Sequence, residues 1–258
     1  MFHTAAFYES VDQAGAYANM AVPADQLLTI VTPNMQVPAL SNIVLVAAGL
    51  ETATAPIGRL VAPSLRTKCL FQVSPINNAA AGPVVPIDPH AVVDLRFNPL
   101  RLVPSEQLNF AALANPAAAQ IQFCGVWFAD GPITPISGSI FTARAVGATT
   151  LVAGTWVTCP LVFDENLPRG RYQIVGMKAI SATCKFARLL LPGQQWRPGV
   201  LGCVTIQHRE WPGFRYGGMG VFGEFEDIDA LNADFMGGAG DTAEIVYLDL
   251  IQLRAGPG

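Results

Sequence analysis

Residues 182–192, ATCKFARLLLP, decide the fold of this chain, because an earlier stretch of the same chain matches them. The earlier stretch is 53–63, ATAPIGRLVAP, and Ala, Thr, Arg, Leu and Pro recur in step between the two. The matched arginines, Arg59 and Arg188, lie 129 positions apart (188 − 59), which is half of the 258-residue chain. A duplicated domain produces a repeat of this kind.

Two further matches fall in the same order along the chain. Pro38 and Pro168 each precede an apolar, strand-like run, and they are 130 positions apart (168 − 38). Segments 119–123 and 243–247 match at a spacing of 124 (245 − 121). Because three matches keep their order at nearly the same spacing, the sequence predicts two tandem copies of one domain.

Composition narrows the class of protein. Hydrophobic residues make up 51% of the chain and charged residues only 13%, about half the usual charged fraction. No run of 18 residues lacks a polar or charged interruption, which argues against a membrane-spanning helix. The apolar surplus must be buried in a large core or between subunits, unless part of it faces lipid. A net charge of −4 argues against nucleic-acid recognition, which normally needs a basic surface.

The amino-terminal sequence and the cysteines indicate the folding compartment. Residues 1–4 lack the basic and apolar regions of a secretory signal, so we expect synthesis and folding in a cytoplasm. The cysteine count is odd and contains no CxxC pair, which favours reduced, buried thiols over a disulfide framework or a zinc site. The five cysteines are Cys69, Cys124, Cys159, Cys184 and Cys203.

The frequent proline and glycine residues predict short strands. Twenty prolines and 24 glycines divide the sequence into apolar pieces too short for most globular helices. Two segments, 105–114 with Ser105 as N-cap and 225–235, are predicted to be short helices. The predicted strands are 27–31, 42–47, 57–61, 70–73, 92–97, 119–128, 139–145, 155–159, 172–179, 186–191, 204–208 and 243–253.

The predicted fold class is all-β, with two tandem jelly-roll β-barrels in one chain and short helices in loops. An immunoglobulin sandwich is disfavoured because the cysteines do not supply its Cys and Trp pattern. A jelly roll of eight strands suits the length of each half. The expected division is an N-terminal arm over 1–22, a first jelly roll over 23–129, a linker over 130–138 and a second jelly roll over 139–258.

No segment carries a specific catalytic or cofactor motif. The chain has three scattered histidines, His3, His90 and His208, with no HxH pair of the kind a cupin metal site needs. His208 and Glu210 come closest to a ligand pair, and we interpret them as a surface cluster. Residues 218–223 satisfy GxGxxG, but an aromatic loop precedes them and acidic residues follow, which favours an inter-strand loop over a dinucleotide site.

Three other sets of residues have both a functional and a structural interpretation. The acidic run 224–234 is interpreted as a solvated helix face and not as a calcium loop. Arg59 and Arg188 are expected to pair with a carboxylate or backbone carbonyl at an interface, in preference to binding an anion. The aromatic set could stack on sugars, although packing between subunits is the commoner role. Its members are Trp196, Trp211, Phe214 and Tyr216.

Taken together, the tandem halves, the matched segments 119–123 and 243–247 and the stiff segment near Pro132 resemble one known family. It comprises the double jelly-roll major capsid proteins of icosahedral viruses, from membrane-containing bacteriophages to the adenovirus hexon. The resemblance is architectural and covers about residues 23–253. It implies a homotrimer whose six barrels form a pseudo-hexagonal tile, with the N-terminal arm facing inward.

The resemblance also implies a place and partners. The expected location is the virion, after assembly in the host cytoplasm. The expected partners are neighbouring capsomers and minor capsid proteins, with an internal lipid membrane as a further candidate. No enzymatic activity, cofactor, metal or catalytic residue is implied. The alternatives are a jelly-roll carbohydrate-binding or spike protein and, less favoured, an enzyme of bicupin type.

Overall fold

A computed structural model gives the fold, and it describes residues 1–9, 17–50, 57–67, 71–73, 77–78, 92–113, 122–204 and 210–255. The chain divides into two compact units. The amino-terminal unit is Ala5–Pro132, and the carboxy-terminal unit is Ile133–Gly258 together with Met1–Thr4. The division between Pro132 and Ile133 falls within the predicted linker segment.

Almost all of the regular structure is strand. The strands that precede residue 133 are β1 Phe2–Glu9, β2 Ala18–Asn19, β3 Ile30–Val31, β4 Asn34–Gln36, β5 Asn42–Leu50, β6 Ile57–Val61, β7 Phe71–Val73, β8 Asn77–Asn78, β9 Val92–Asp94, β10 Leu100–Arg101, β11 Gln107–Leu113 and β12 Gln122–Ala129. The later strands are β13 Phe141–Gly147, β14 Val157–Pro160, β15 Val162–Phe163, β16 Gly170–Ser181, β17 Cys184–Leu190, β18 Gly199–Val204, β19 Gly223–Glu226, β20 Asn232–Gly237 and β21 Glu244–Ala255.

The described helices are short and lie in loops. Helix α1, Pro63–Arg66, follows β6, and a single 3-10 turn, Pro212–Phe214, lies between β18 and β19. Within the described ranges, neither is long and apolar enough to span a membrane.

The strand order is that of a jelly roll, and it occurs in both units. In the amino-terminal unit one sheet has the order β1-β12-β5 with β9 and β10 on the far edge of β5, and the other has β4-β11-β6-β7 with β2 also on β11. In the carboxy-terminal unit the corresponding orders are β13-β21-β16-β19 and β14-β20-β17-β18, and the pairing of β18 with β16 joins them into one nine-stranded sheet. An eight-stranded jelly roll pairs its first, last, third and sixth strands in one sheet and its second, seventh, fourth and fifth in the other. The predicted fold class is therefore confirmed.

A finer correspondence supports the duplication. The short strand β8 runs parallel to β5, and β18 runs parallel to β16 at the equivalent place. Strands β6 and β17, which contain Arg59 and Arg188, are the fourth strands of their barrels, and each pairs with the seventh. The sequence match that predicted the repeat thus joins equivalent strands, although residues 51–56 of the first copy lie outside the described ranges.

The core of each unit consists of apolar runs covered on both faces. Ile43, Val46 and Ala48 on β5 are fully buried, as is the whole of β12. In the carboxy-terminal unit Phe186 and Phe235 are fully buried. Strands with two covered faces are continuous apolar runs in the sequence, and such runs predict that these strands exist.

Both predicted helices are wrong. Residues 107–113 of the predicted helix 105–114 form β11, and Ser105 precedes this strand in a turn with φ 66°, which is not the extended backbone of an N-cap. Residues 225–235 contribute to β19 and β20. The turn between them is closed by Glu226 and Asp229, whose carboxylate accepts the Glu226 N–H at 2.8 Å. Pairing with neighbouring strands overrides the local helix preference in both places.

The predicted arm over 1–22 is also wrong for its first part. Residues Phe2–Glu9 form β1, and all of them except Glu9 are buried. The chain begins this strand in the carboxy-terminal unit, to which Met1–Thr4 belong. Residues 10–16, where the sequence suggested a short helix, lie outside the described ranges.

A glycine in β18 offers a test of the packing between β17 and β18. A Cβ atom on Gly199 would collide with the Ala187 carbonyl oxygen and lie 2.6 Å from the Arg188 Cβ. We expect Gly199→Ala to lower the free energy of unfolding by about 1–3 kcal/mol, because the strand must shift to admit the methyl group. Urea denaturation measures the change, and Gly131→Ala is the control, since a Cβ there meets no atom within 4 Å. Equal free energies of unfolding for the two variants would contradict the close contact between β17 and β18.

Candidate functional site

Of the residues that the sequence analysis considered as metal ligands, the structure describes His3 and Glu210. His3 lies on β1 and is fully buried, whereas His90 and His208 lie outside the described residues. Glu210 is described, and its carboxylate pairs with Arg215 at 3.2 Å and with Lys178 at 3.8 Å. Among the described residues, no group of three or more His, Cys, Asp or Glu side chains is placed to hold a metal ion.

The GxGxxG segment forms a turn that leads into a strand. Gly220 has φ +71°, and Gly223 begins β19. A dinucleotide site needs a helix after the glycines, so that its N-terminus meets the pyrophosphate. Since a strand follows here, the interpretation of this segment as an inter-strand loop agrees with the structure.

The acidic run is not a helix face. Glu224 and Glu226 lie on β19, and Asp234 lies on β20 with only 1% of its surface exposed. Glu224 pairs with Arg171 at 2.6 Å, on the strand next to β19. A solvated face was therefore the wrong interpretation for Asp234, whose carboxylate is enclosed.

Asp234 is the centre of a buried ion-pair network. Its Oδ2 accepts a hydrogen bond from Arg188 Nε at 2.9 Å and one from Arg197 Nη1 at 2.7 Å. Its Oδ1 accepts a hydrogen bond from the Thr158 hydroxyl. Arg188 is also fully buried, and its guanidinium carbon lies 4.0 Å from the centroid of the Trp156 ring. One carboxylate and an aromatic face thus compensate two arginines away from water.

The same network holds the beginning of the chain. Arg188 Nη1 donates to the Thr4 carbonyl at 3.2 Å, and the Thr4 N–H donates to the Arg197 carbonyl at 3.0 Å. The Arg197 N–H donates to His3 Nδ1 at 3.2 Å. The Phe2 ring packs edge-on against Phe222, with 4.9 Å between the ring centroids. His3 therefore has a structural partner, and it acts as a hydrogen-bond acceptor here.

The two matched arginines have different partners. Arg188 has the carboxylate and carbonyl partners that were predicted, but they lie within its own unit. Arg59 has its guanidinium carbon 3.8 Å from the centroid of the Tyr17 ring. Equivalent strands thus carry both arginines, and the two arginines contact different groups.

A second network lies on the carboxy-terminal unit around Asp249 of β21. Arg215 binds this buried carboxylate through two hydrogen bonds, from Nε and Nη2, each 2.7 Å long. The Tyr216 N–H and the Thr142 hydroxyl donate to it at 3.0 and 2.7 Å. Burial acts to raise the pKa of Asp249, but these hydrogen bonds outweigh burial, so its pKa is lowered and it stays ionised.

The aromatic set divides among different environments. Phe214 is buried and packs edge-on against Trp211 at 5.0 Å, whereas Tyr216 is 61% exposed. Trp196 lies in a separate contact, with its ring centroid 5.7 Å from that of His3. The four rings therefore do not form one stacking surface for sugars.

Two surface cavities lie on the carboxy-terminal unit. One, of about 320 Å³, lies between the start of β13 and residues 164–168, and the exposed Arg144 and Asp164 that line it form an ion pair. The other, of about 420 Å³, is lined by Met1, Arg171, Gln194 and Phe222, among others. Both cavities mix polar and apolar side chains.

The described cysteines are reduced and buried, as predicted. They are Cys124, Cys159, Cys184 and Cys203, while Cys69 lies outside the described ranges. Burial raises the pKa of Cys159 to about 11 and that of Cys203 to about 12. These thiols are protonated at neutral pH and behave as small apolar side chains.

Glu244, at the start of β21, is a buried acid that the sequence analysis did not single out. Burial is the largest cause that raises its pKa, from 4.5 to about 7, and Asp241 adds to the increase. The N–H groups of Thr149 and of Glu244 itself act in the opposite direction. Asp241 has a lowered pKa, because hydrogen bonds from Ser181, Thr183 and Ala182 outweigh its burial. The two neighbouring acids therefore ionise in different pH ranges.

Comparisons with known proteins identify no family. No protein-family model matches the chain, and no curated protein matches it in sequence. Among solved structures, the major capsid protein P2 from Bacteriophage PM2 aligns over 99% of this chain and 100% of its own, with 9% identity and a TM-score of 0.26. A xanthan lyase from Paenibacillus aligns over 98% of this chain and 25% of its own, with 9% identity and a TM-score of 0.22. Both likenesses are weak, and the fold assignment depends on strand order instead.

The Asp234 network makes a clear prediction about stability. Asp234→Asn removes the buried carboxylate charge that pairs with the fully buried Arg188, so we expect the free energy of unfolding to fall by about 3–5 kcal/mol. Asp164→Asn is the matched control, because it breaks an ion pair whose two side chains are 38% and 39% exposed, and we expect a loss of at most about 1 kcal/mol. Guanidinium denaturation measures both. Similar losses in the two variants would show that Arg188 is not enclosed.

Glu244 predicts a dependence of stability on pH. The pKa of Glu244 is about 7 in the folded state and 4.5 in the unfolded state. The stability that the protein has with Glu244 protonated is therefore fully present below pH 4.5 and is lost as the pH rises to about 7. The loss is on the order of 3 kcal/mol. Glu244→Gln should remove this decline, so the variant should exceed the wild type in stability at pH 8 by more than at pH 5. Urea denaturation across this range tests it against Glu224→Gln on the surface strand β19, and parallel profiles for wild type and Glu244→Gln would refute it.

Proposed function

We propose that this chain is a structural virion protein, a major capsid protein whose copies assemble as trimers that tile an icosahedral shell. The observation that carries the proposal is the jelly-roll strand order, present twice in one chain. Jelly rolls occur in viral capsids, lectins and cupins. Among these, a shell protein makes direct use of a second, similar copy of the barrel.

The second barrel has a geometric use in a shell protein. Three chains with two similar barrels each supply six barrels around a threefold axis, which approximates sixfold symmetry. Such a tile can pack beside its neighbours in a hexagonal layer. Closed cyclic assemblies of one chain are the common form of oligomer, so a trimer needs no second component.

Composition supports the same role. Only 13% of the residues are charged, and several of these charges pair inside the unit that contains them, as at Asp234 and Asp249. A shell subunit must bury large lateral surfaces, where unpaired charges are costly. Proline is frequent, with 20 residues, and its restricted backbone reduces the entropy that ordering would cost at each contact.

The rest of the proposal concerns location and partners. The protein is assigned to the virion, after assembly in the host cytoplasm, with neighbouring capsomers and minor capsid proteins as partners and an internal membrane as a candidate. It is assigned no catalytic activity and no cofactor. The carbohydrate-binding alternative has one observation in its favour, the exposed ring of Tyr216.

The assembly state tests the proposal. We expect the purified chain to sediment as a species of three times its 27.4 kDa mass, and negative-stain electron microscopy should show particles with six-lobed outlines that pack into hexagonal arrays. Elemental analysis of the same sample checks for the stoichiometric metal that a bicupin enzyme would hold. A chain that stays monomeric at high concentration, or one that contains stoichiometric metal, would contradict a shell role.

A further inference from the structure

Glu244 is a buried acid at the very start of its strand. It pairs with Gly147, the last residue of β13, whereas the pairing of β21 with β16 begins at Ile245. Its side chain is fully buried, and no side chain among the described residues donates a hydrogen bond to its carboxylate. A charge on Glu244 is therefore costly in this position. Separation of β21 from β13 at this single pair is enough to bring the carboxylate to water.

The face of the sheet that Glu244 shares with Gly147 is covered by weakly polar and apolar groups. Residues directly opposite each other in an antiparallel pair lie on the same face of the sheet. A Cβ atom on Gly147 would lie 2.5 Å from Cys159 Sγ, 3.6 Å from the Phe235 ring and 3.7 Å from a methyl group of Leu161. Burial against such groups favours the neutral form of a carboxyl group.

The charged group that acts on Glu244 has the same sign. It is Asp241, whose carboxylate adds to the effect of burial and raises the pKa of Glu244 to about 7. Glu244 therefore changes its charge near neutral pH, while Asp241, whose pKa is lowered, stays ionised. The other titratable groups of this region are Cys159 on β14, Cys184 and Lys185 on β17, and Asp234 on β20.

Asp241 also joins the loops at this end of the barrel. Its Oδ2 accepts hydrogen bonds from one hydroxyl and two N–H groups of the turn 181–183. Its backbone carbonyl accepts the Leu151 N–H at 2.9 Å, and the Gly240 N–H donates to the Leu151 carbonyl at 3.1 Å. The loops joined in this way are 148–156, 182–183 and 238–243.

The position of Glu244 and the hydrogen bonds of Asp241 are coupled, because only residues 242 and 243 lie between them. When the start of β21 moves so that the Glu244 carboxylate reaches water, the movement extends to Asp241. We propose that Glu244 is a pH-sensitive switch, whose ionisation separates residues 238–244 from β13 and releases the loops 148–156 and 182–183. Protonation reverses the change. This inference goes beyond the proposed shell function and does not depend on it.

Amide hydrogen exchange of the wild type tests the switch, because the Leu151 and Gly240 N–H groups report on release of the loops. With a pKa of about 7 in the closed state and 4.5 in the open state, the opening equilibrium should rise about 70-fold between pH 5 and pH 8, after correction for the intrinsic pH dependence of exchange. Exchange at these two amides should depend little on urea, because a local opening exposes little surface. The N–H groups of the core strand β17 should show the steep urea dependence of global unfolding.

Variants without the charge provide the matched comparison. Glu244→Gln and Glu244→Met should each remove the pH dependence at Leu151 and Gly240, whereas Glu224→Gln on β19 should keep it.

The wild type alone can overturn the inference, even where a variant does not fold. If the opening equilibrium at Leu151 and Gly240 is the same at pH 5 and pH 8, the switch is wrong. If it changes only together with the β17 amides and with the same urea dependence, ionisation unfolds the whole unit and the switch is again wrong. If it changes as expected in a chain that stays monomeric, the switch stands while the shell function is wrong.

Discussion

The carboxy-terminal unit depends on one buried carboxylate, that of Asp234, which compensates two arginines at once. Arg188 lies on β17, and Arg197 lies in the loop before β18. Removing charge from water is costly, and here the cost is offset by hydrogen bonds on both carboxylate oxygens and by the face of Trp156. Because Arg188 and Arg197 also bind the backbone of Thr4, one interaction joins the sheet, a loop and the beginning of the chain.

How far the sequence predicts this fold depends on what kind of pattern each element has. Apolar runs such as β5 and β12 stand out, because both faces of these strands are covered and periodicity plays no part. The local sequence of β11 and β20 predicts helices, since Ser105 resembles an N-cap and the run 225–235 resembles a polar helix face. Only pairing with strands distant in sequence decides these cases, and a local pattern does not contain that information.

The candidate sites were predicted less well, for a similar reason. Arg188 stands out in the sequence because Arg59 matches it in the repeated segment. Nothing near Arg188 in the sequence identifies Asp234 as its partner. Phe2 and His3 gave no signal of burial, because a few residues at the start of a chain have no recognisable period. The sequence identifies Tyr216 as one of several aromatic residues, whereas the hydrogen bond from its N–H to Asp249 depends on β21, which is distant in sequence.

The position of Met1–Thr4 within the carboxy-terminal unit has a consequence for how the protein is made. These residues are synthesised before residues 133–258, so their partners Arg188 and Arg197 do not yet exist when they leave the ribosome. During that time Phe2 and His3 have none of the carboxy-terminal contacts that bury them in the finished protein. The hydrogen bonds that join Thr4 to Arg188 and Arg197 therefore form only after both arginines have been synthesised, so these bonds cannot guide the earlier steps of folding.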